Sequence, residues 1–402
     1  MIGASPVPGR RRLTLAVLLA VVVAVVVAVS VGLAGGSATS AHGDPPPAAG
    51  GNPVTTSTAA AGPAGGTTGG TTSTTPGTGS GAPSGQVVVC GTALCADGSG
   101  YSMYGATIYN PGLQPYQSGI EDPAGTVALA ERAHLNTIRI TDFLDVNGDP
   151  ATAPYDPTSW GYVDAMIAAA GAAGLHVDLS LADYRATLWN RCTDPYTAAW
   201  SQFVSFVANR VNTVSHRVYR DDPTIAFVSV AGEPLPVGTH TYTASATGAP
   251  CTLSYTTAEL TAFYASVTSD WHDQGGTVLI NSGGLGYLNE ASAGIDWQSI
   301  FSLPDNAFCD IKTYGGMQAW APTAAAYCHA IGKPVLVEEF GWEQGIGDAA
   351  RAQLFDAMVA QVRAFGAAGL VFWNLGYQVS PTGYDVSPST PDTFAAVVQN
   401  AP

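Results

Sequence analysis

Residues Lys333 to Trp342 read KPVLVEEFGW, a short apolar run that ends in two carboxylates. An earlier run, Ile225 to Pro234 (IAFVSVAGEP), ends in one carboxylate in the same way. Both runs have the length and the β-branched content of buried parallel strands. An ionised carboxylate is costly to remove from water, so a buried strand that ends in glutamate indicates a functional site.

The alternation of side chains along a strand assigns these carboxylates to faces. Glu339 shares a face with Val335 and Val337, and Glu338 is expected on the opposite face in a structural role. In one barrel, Glu233 and Glu339 would both project from C-terminal strand ends, where barrel enzymes carry their chemistry. Two facing carboxylates predict glycoside hydrolysis.

Strand-like and helix-like stretches alternate over the second part of the chain. The eight candidate strands are Gly105 to Asn110, Thr137 to Leu144, His176 to Asp183, Ile225 to Pro234, Thr277 to Gly283, Phe308 to Tyr314, Pro334 to Trp342 and Gly369 to Leu375. Helix patterns between them include Val127 to His134, Tyr162 to Ala173, Thr197 to Tyr219, Thr257 to His272, Thr323 to Ile331 and Ala349 to Phe365. This alternation predicts an α/β fold, a (β/α)8 TIM barrel.

Two further segments are assigned from their composition. The Val-rich residues Gln86 to Gly100 predict a short N-terminal β-hairpin below the barrel. The loop Leu235 to Tyr255 is rich in Gly, Thr and Pro and follows the strand that carries Glu233. Long loops at this end of a barrel build the binding cleft, so we expect this loop to line a substrate groove.

Four motifs occur in a fixed order: NTIRI at 136–140, GEP at 232–234, EEFG at 338–341 and FWN at 372–374. In this order they resemble glycoside hydrolase family 5 and its clan of (β/α)8 retaining glycosidases, which includes cellulases and β-mannanases. The resemblance covers residues 87 to 402. It implies a retaining β-glycoside hydrolase that cleaves a β-linked polysaccharide or oligosaccharide of the β-mannan or β-glucan type.

The resemblance also implies roles for individual residues. Glu339 would be the nucleophile and Glu233 the general acid and base. Arg139 would orient the nucleophile, Tyr314 would donate a hydrogen bond to it, and Trp373 would offer an apolar platform to a sugar ring. The remaining expected substrate-binding residues are Lys312, Asn374 and Trp342. The same residue types also serve as structural ion pairs, loop caps and core packing.

Two positions depart from the family pattern. Gly232 stands before Glu233 where the family has an asparagine that binds the sugar 2-hydroxyl, and Lys312 stands where a histidine is common. These departures leave two alternatives open. One is a catalytically weak or inactive barrel that acts as an extracellular carbohydrate-binding protein. The other is a glycosidase for 2-acetamido sugars of the cell envelope, because the absent side chain would leave room for the acetamido group.

The composition limits the partners. A net charge of -16 with only two lysines argues against nucleic acid and anionic membrane surfaces. The seven histidines show no HExxH motif, and there is no phosphate-binding glycine loop and no G-x-S-x-G elbow. No metal or cofactor is predicted, and we expect a monomer with a saccharide substrate.

The N-terminal part of the chain predicts export. Arg10, Arg11 and Arg12 precede an uncharged apolar run from Leu13 to about Leu33, typical of a secretory signal or a membrane anchor. Residues 35–86 are rich in Gly, Ser, Thr, Pro and Ala, as in a disordered linker. The sequence thus predicts a signal peptide or anchor (1–34), a linker (35–86) and a catalytic domain (87–402). The domain would be extracellular, secreted or anchored to the cell membrane.

Six cysteines lie beyond the predicted linker. Export favours disulfides, and the sequence alone cannot fix their connectivity. Nearest-neighbour pairing suits the predicted layout: Cys90 with Cys95, Cys192 with Cys251 and Cys309 with Cys328. Reduced thiols within a core are the alternative.

Overall fold

The computed structural model describes residues 85–109, 122–286, 293–314 and 320–402. The predicted signal or anchor lies outside these residues, as does the linker apart from its last two positions. Among the described residues, no helix has the length and apolar character needed to cross a membrane.

Thirteen strands lie in the described parts of the chain. They are β1 (Val88–Cys90), β2 (Ala93–Ala96), β3 (Ser99–Tyr101), β4 (Met103–Tyr109), β5 (Thr137–Thr141), β6 (His176–Ser180), β7 (Ile225–Ser229), β8 (Gly238–Ala244), β9 (Ala249–Tyr255), β10 (Leu279–Asn281), β11 (Cys309–Lys312), β12 (Val335–Glu339) and β13 (Gly369–Phe372).

Eight of these strands form a parallel sheet in the order β10, β7, β6, β5, β4, β13, β12 and β11. The two outer strands meet, because the N–H of Leu285 donates to the carbonyl of Asp310 and the N–H of Lys312 donates to that of Leu285. The sheet therefore closes into the predicted (β/α)8 barrel. Every predicted barrel strand is present, and seven of the eight, all except β4, end two or more residues before the predicted boundary.

Nine α-helices lie in the described residues. They are α1 (Pro123–Arg132), α2 (Pro157–Ala172), α3 (Ala182–Asn190), α4 (Ser201–Ala208), α5 (Thr257–His272), α6 (Trp297–Ser302), α7 (Ala321–Ala330), α8 (Asp348–Ala364) and α9 (Pro391–Gln399). Five of the six predicted helices are present with small shifts at their ends.

The sixth predicted helix, Thr197 to Tyr219, is wrong beyond α4. The side-chain oxygen of Asn212 accepts hydrogen bonds from the backbone N–H groups of Val214 and Ser215, at 2.8 and 2.9 Å, and so forms a turn. The buried carboxylate of Asp164 accepts from Arg210 Nη2 at 2.6 Å and from Tyr219 Oη at 2.7 Å. These contacts fold the segment back on the protein, and the helix ends before them.

A three-stranded antiparallel sheet, β1 to β3, lies at the N-terminal ends of the barrel strands. Val87 and Leu94 pack there with Phe227, Phe308 and Leu336 in a separate apolar cluster. The short hairpin predicted for residues 86–100 is therefore confirmed in position, and the structure adds a third strand to it.

The loop 235–255 contains an antiparallel hairpin, β8 and β9, that the sequence did not predict. The disulfide Cys192–Cys251 ties this hairpin to the segment that follows α3. Disulfides also join Cys90 to Cys95 and Cys309 to Cys328, so the structure contains the three nearest-neighbour pairs.

Candidate active site

Glu339 ends β12 inside the mouth of the barrel and contacts three hydrogen-bond donors. Its Oε2 lies 2.9 Å from Arg139 Nη1 and 2.6 Å from Lys312 Nζ, and its Oε1 accepts from the hydroxyl of Tyr314. Burial opposes ionisation of this carboxyl, but the charges of Lys312 and Arg139 outweigh it and lower the pKa of Glu339. Glu339 is therefore a buried, ionised carboxylate.

Glu338 lies beside Glu339, and the predicted opposite orientation is wrong. The register between β11 and β12 shifts so that Lys312 pairs with Glu339 and Glu338 has no partner residue. Such a bulge lets two consecutive side chains reach the same side. Glu338 Oε1 is 3.2 Å from Arg139 Nε, so both glutamates contact one guanidinium. Its predicted structural role agrees with its complete burial.

Below Glu339, two carboxyls share one hydroxyl. Ser229 Oγ lies 2.6 Å from Asp178 Oδ1 and 2.7 Å from Glu338 Oε1. A hydroxyl carries one proton and can donate to one of these oxygens, so one of the two carboxyls holds a proton. Burial, and then the charge of Glu338, raises the pKa of Asp178 well above its ordinary value. Asp178 Oδ2 also lies 3.4 Å from Arg139 Nε, so this carboxyl contacts the same guanidinium as the two glutamates.

Asp310 extends this buried layer on β11. Burial, followed by the charges of Glu338 and Asp178, raises the pKa of Asp310 well above its ordinary value.

Lys312 ends β11 and points into the site. Its Nζ is 2.6 Å from Glu339 Oε2 and 3.7 Å from Glu233 Oε2, and its side chain is 8% exposed. Burial alone would lower the pKa of Lys312, but the charges of Glu233 and Glu339 raise it above the ordinary value. A charged ammonium therefore stands between the two carboxylates.

Glu233 follows β7 and faces the opening of the site, with 43% of its side chain exposed against 6% for Glu339. Its backbone φ is 51°, in the left-handed region that non-glycine residues rarely adopt. Two contacts hold it there. Its N–H donates to the carbonyl of Gly284 at 2.9 Å, and its own carbonyl accepts from Arg185 Nη1 at 2.7 Å.

The space beside Gly232 is filled. A Cβ at this position would lie 3.0 Å from Lys312 Cε and 3.1 Å from the carbonyl oxygen of Gly284. The Lys312 side chain therefore occupies space that the absent side chain at position 232 would leave, and the amino-sugar alternative stays a prediction.

Three other predicted binding residues follow the ends of β12 and β13. Trp373 is half-buried beside Tyr109, with ring centroids 5.0 Å apart. Asn374 is buried and donates to Asp385 Oδ1 at 3.0 Å, so its amide is engaged inside the loop after β13. Trp342 packs edge-on against Phe340 and at a tilted angle against Phe355. Of these residues, Trp373 remains a candidate platform.

Sequence reasoning missed two groups near the site. Asp142 follows β5 and lies close enough to Arg139, Glu339 and Lys312 for their charges to act on it. Burial, with a smaller contribution from Glu339, raises the pKa of Asp142 to about 6. Its position directly after the strand that carries Arg139 is the signal that could have identified it. Arg185 is the second group, and its contacts with backbone carbonyls leave no pattern in the sequence.

Metal chemistry has no candidate ligands here. Within the described ranges, no group of His, Cys, Asp and Glu side chains has the geometry to hold a metal ion.

Comparison with known proteins identifies similar folds. No family model and no curated protein matches the chain. Among solved structures, an endo-1,4-β-mannanase from Rhizomucor miehei has a TM-score of 0.63 at 20% identity, over 79% of this chain and 98% of that one. An endo-β-1,4-mannanase from Thermotoga petrophila has a TM-score of 0.60 at 18% identity, over 76% of this chain and 77% of that one.

A GH5-4 broad-specificity endoglucanase from Clostridium acetobutylicum is more distant. Its TM-score is 0.50 at 14% identity, over 75% of this chain and 96% of that one. A glycoside hydrolase family 5 mannosidase from Rhizomucor miehei has a TM-score of 0.59 at 12% identity, over 79% of this chain and 97% of that one. At these identities the likeness shows the fold, which is the family 5 type of barrel that the motifs predicted.

Proposed function

We propose that this protein is a retaining β-glycoside hydrolase in which Glu339 is the nucleophile and Glu233 the general acid and base. The observation that carries the proposal is that both carboxyl groups contact the same ammonium, which limits the distance between them. Each lies near Lys312 Nζ, at 2.6 Å and 3.7 Å, so their Oε2 atoms are at most about 6.3 Å apart. Retaining enzymes need about 5 Å between the carboxyls, and inverting enzymes need about 6.5 to 9.5 Å for an intervening water.

The difference in exposure supports the division of roles. Glu339 is buried and held ionised by three donors, as a nucleophile that attacks carbon must be. Glu233 faces the opening, where the leaving group departs and water enters. In the first step the Glu339 oxygen bonds to the anomeric carbon while the glycosidic bond breaks and Glu233 protonates the leaving oxygen. In the second, Glu233 takes a proton from water, and that water displaces Glu339.

A neutral β-glycan of the mannan or glucan type is the proposed substrate. The similar solved structures include endo-mannanases and an endoglucanase. The net charge of -16 disfavours acidic polysaccharides, since like charges repel. Tyr109 and Trp373 offer the aromatic surface that the C–H faces of such sugars pack against.

A second candidate is an extracellular carbohydrate-binding protein without catalysis. The specific observation in its favour is Lys312, whose ammonium occupies the region between the two carboxylates. Under either function we propose export, because the apolar segment at residues 13–33 and the polar linker precede the barrel.

The experiment measures release of reducing ends by the full chain from β-mannan, from β-1,3- and β-1,4-glucans and from N-acetylated glycans. We expect release from one of the first three, reduced at least about 10³-fold in both Glu233→Gln and Glu339→Gln. Proton NMR should show that the first product anomer keeps the β configuration. Binding without hydrolysis, unchanged by both substitutions, would establish the binding protein, and an inverted product would exclude the double displacement.

A further inference from the structure

The side chain of Lys312 runs through a channel lined by glycines. A Cβ on Gly284 would lie 2.4 Å from Lys312 Cγ and 3.0 Å from its Cε, closer than real contacts allow. A Cβ on Gly232 would lie 3.0 Å from the same Cε. Both glycines thus lack side chains where the aliphatic part of the lysine passes, and their backbones fix its course.

Gly232 and Lys312 are therefore one feature rather than two separate departures from the family pattern. The glycine makes room for the lysine, and the lysine occupies the space that a longer residue at position 232 would fill. The result is an ammonium held between Glu233 and Glu339. During the proposed reaction the negative charge passes from one of these carboxyl groups to the other.

The exchange of charge follows from the mechanism. Before the first step, Glu339 is ionised and Glu233 carries the proton. When the bond from Glu339 to the anomeric carbon forms, Glu339 becomes a neutral ester, and Glu233, having protonated the leaving oxygen, becomes the carboxylate. One negative charge therefore disappears near Lys312 Nζ at the 2.6 Å contact and appears at the 3.7 Å contact.

We propose that Lys312 is a positioning residue whose ammonium stays paired throughout this step, passing from Glu339 to Glu233 and stabilising the carboxylate that acid catalysis creates. This inference rests on the proposed function and assigns a role that the family's motifs do not contain. Oriented charges that are already in place where a new charge develops cost no reorganisation during the reaction. The glycine channel provides that fixed placement.

The test compares kcat/KM for two aryl or glycosyl substrates with the same sugar and different leaving groups. The 2,4-dinitrophenolate group of an activated aryl glycoside leaves as a stable anion and needs no proton. The leaving oxygen of the natural glycosidic bond must receive a proton from Glu233. In Lys312→Met and Lys312→Gln we expect both substrates to lose rate, because Lys312 also contacts Glu339, and we expect the loss on the natural linkage to exceed the loss on the activated substrate by about 10-fold or more. Gly232→Ala, which displaces the lysine and keeps its charge, should show the same pattern more weakly.

Tyr314→Phe is the matched control. It removes a neutral donor to Glu339 and leaves the lysine in place, so both substrates should lose rate by a similar factor. Thermal midpoints and near-UV circular dichroism of each variant show whether it is folded.

Four outcomes would overturn the proposal. Equal losses on both substrates in the folded lysine variants would mean that Lys312 serves Glu339 alone, and no loss would mean that its charge is not used. Hydrolysis of neither substrate by the unaltered chain would overturn the proposed function itself. Failure of Lys312→Met and Lys312→Gln to fold, together with equal losses in folded Gly232→Ala, would assign the lysine a structural role.

Discussion

Glu233 has a backbone conformation in the left-handed region, which is unfavourable for a residue with a side chain. The functional carboxylate at this position should therefore lower the stability of the fold. A non-glycine residue at a φ of 51° costs about 1 kcal/mol or more. Its side chain is 43% exposed, so little packing depends on it. Such strain is tolerated where a reacting group must be aimed.

We therefore expect Glu233→Gly to be more stable than Glu233→Ala by about 1 kcal/mol, while both lack activity on the natural linkage. Both variants remove the carboxylate, so the comparison isolates the backbone. Denaturant unfolding measures the difference. Equal stability of the two variants would mean that the backbone at this position is not strained.

Asp142 predicts a pH dependence of stability. The folded protein raises the pKa of Asp142 to about 6, above the unfolded value of about 4, so the folded state binds the proton more tightly. Stability relative to Asp142→Asn is then unaffected below about pH 4. The stability of the wild type relative to Asp142→Asn falls as the pH rises from about 4 to about 6, by about 3 kcal/mol in total, and is constant above that range. Asparagine tolerates the left-handed backbone at this position, where φ is 57°.

Thermal midpoints of wild type and Asp142→Asn at pH 4, 5, 6 and 7 measure this effect. Asp156 provides a control of opposite sign, because the backbone N–H of Ser159 lowers the pKa of this helix-capping carboxyl. The stability that Asp156 contributes is fully present at pH values above the pKa of this carboxyl in the unfolded chain, and it is lost as the pH falls through the lowered pKa of the folded state. A loss of wild-type stability relative to Asp142→Asn on acidification from pH 7 to pH 4 would contradict the assignment.

At the scale of elements, the hairpin β8–β9 depends on its attachments to the C-terminal face. Tyr242 stacks on Trp189 with centroids 4.5 Å apart and donates to its carbonyl at 2.6 Å. The disulfide Cys192–Cys251 fixes the same neighbourhood and closes a separation of 59 residues, compared with 5 for Cys90–Cys95. Loop-closure entropy grows with loop length, so the longer crosslink restrains the unfolded chain more.

Replacing both cysteines of a pair by alanine should therefore destabilise the protein by about 4 kcal/mol at Cys192–Cys251 and by about 2 kcal/mol at Cys90–Cys95. Each pair has one exposed cysteine, which limits differences in packing. Unfolding midpoints of the two double variants test the order. A larger loss at Cys90–Cys95 would show that the hairpin is held by its other contacts.

The sequence predicted elements whose signals are local. Apolar runs ending in Glu233 and Glu339 marked two barrel strands and their functional end, because burial and alternation depend on neighbouring residues in the chain. The bulge at Glu338 depends on how β12 pairs with β11, which no local pattern carries. The helix predicted for 197–219 failed for a similar reason, since Asp164, distant in sequence, draws the segment out of helical geometry.

At the scale of the whole molecule, the barrel separates two kinds of interior. The N-terminal half holds the apolar cluster with Phe227 and Phe308, whose rings meet edge to face at 4.8 Å. The C-terminal half holds the charged layer of Arg139, Glu338 and Glu339. Burial of the apolar half supplies stability that offsets the cost of the buried charges in the other half. The three-stranded sheet β1 to β3 covers the apolar half at the N-terminal ends of the strands. The composition indicated a sizeable core but could not divide it in this way.

The chain's two lysines have a practical consequence for chemical modification. Lys312 is shielded within the site, and Lys333 lies before β12 at the base of the barrel, where its ammonium donates to three carbonyls at 2.5 to 2.7 Å. Burial lowers the pKa of Lys333 to about 8, which increases its fraction of free amine at neutral pH. Amine-reactive dyes and supports that couple to Lys333 will therefore attach at this base and leave the mouth of the barrel open to a polymer.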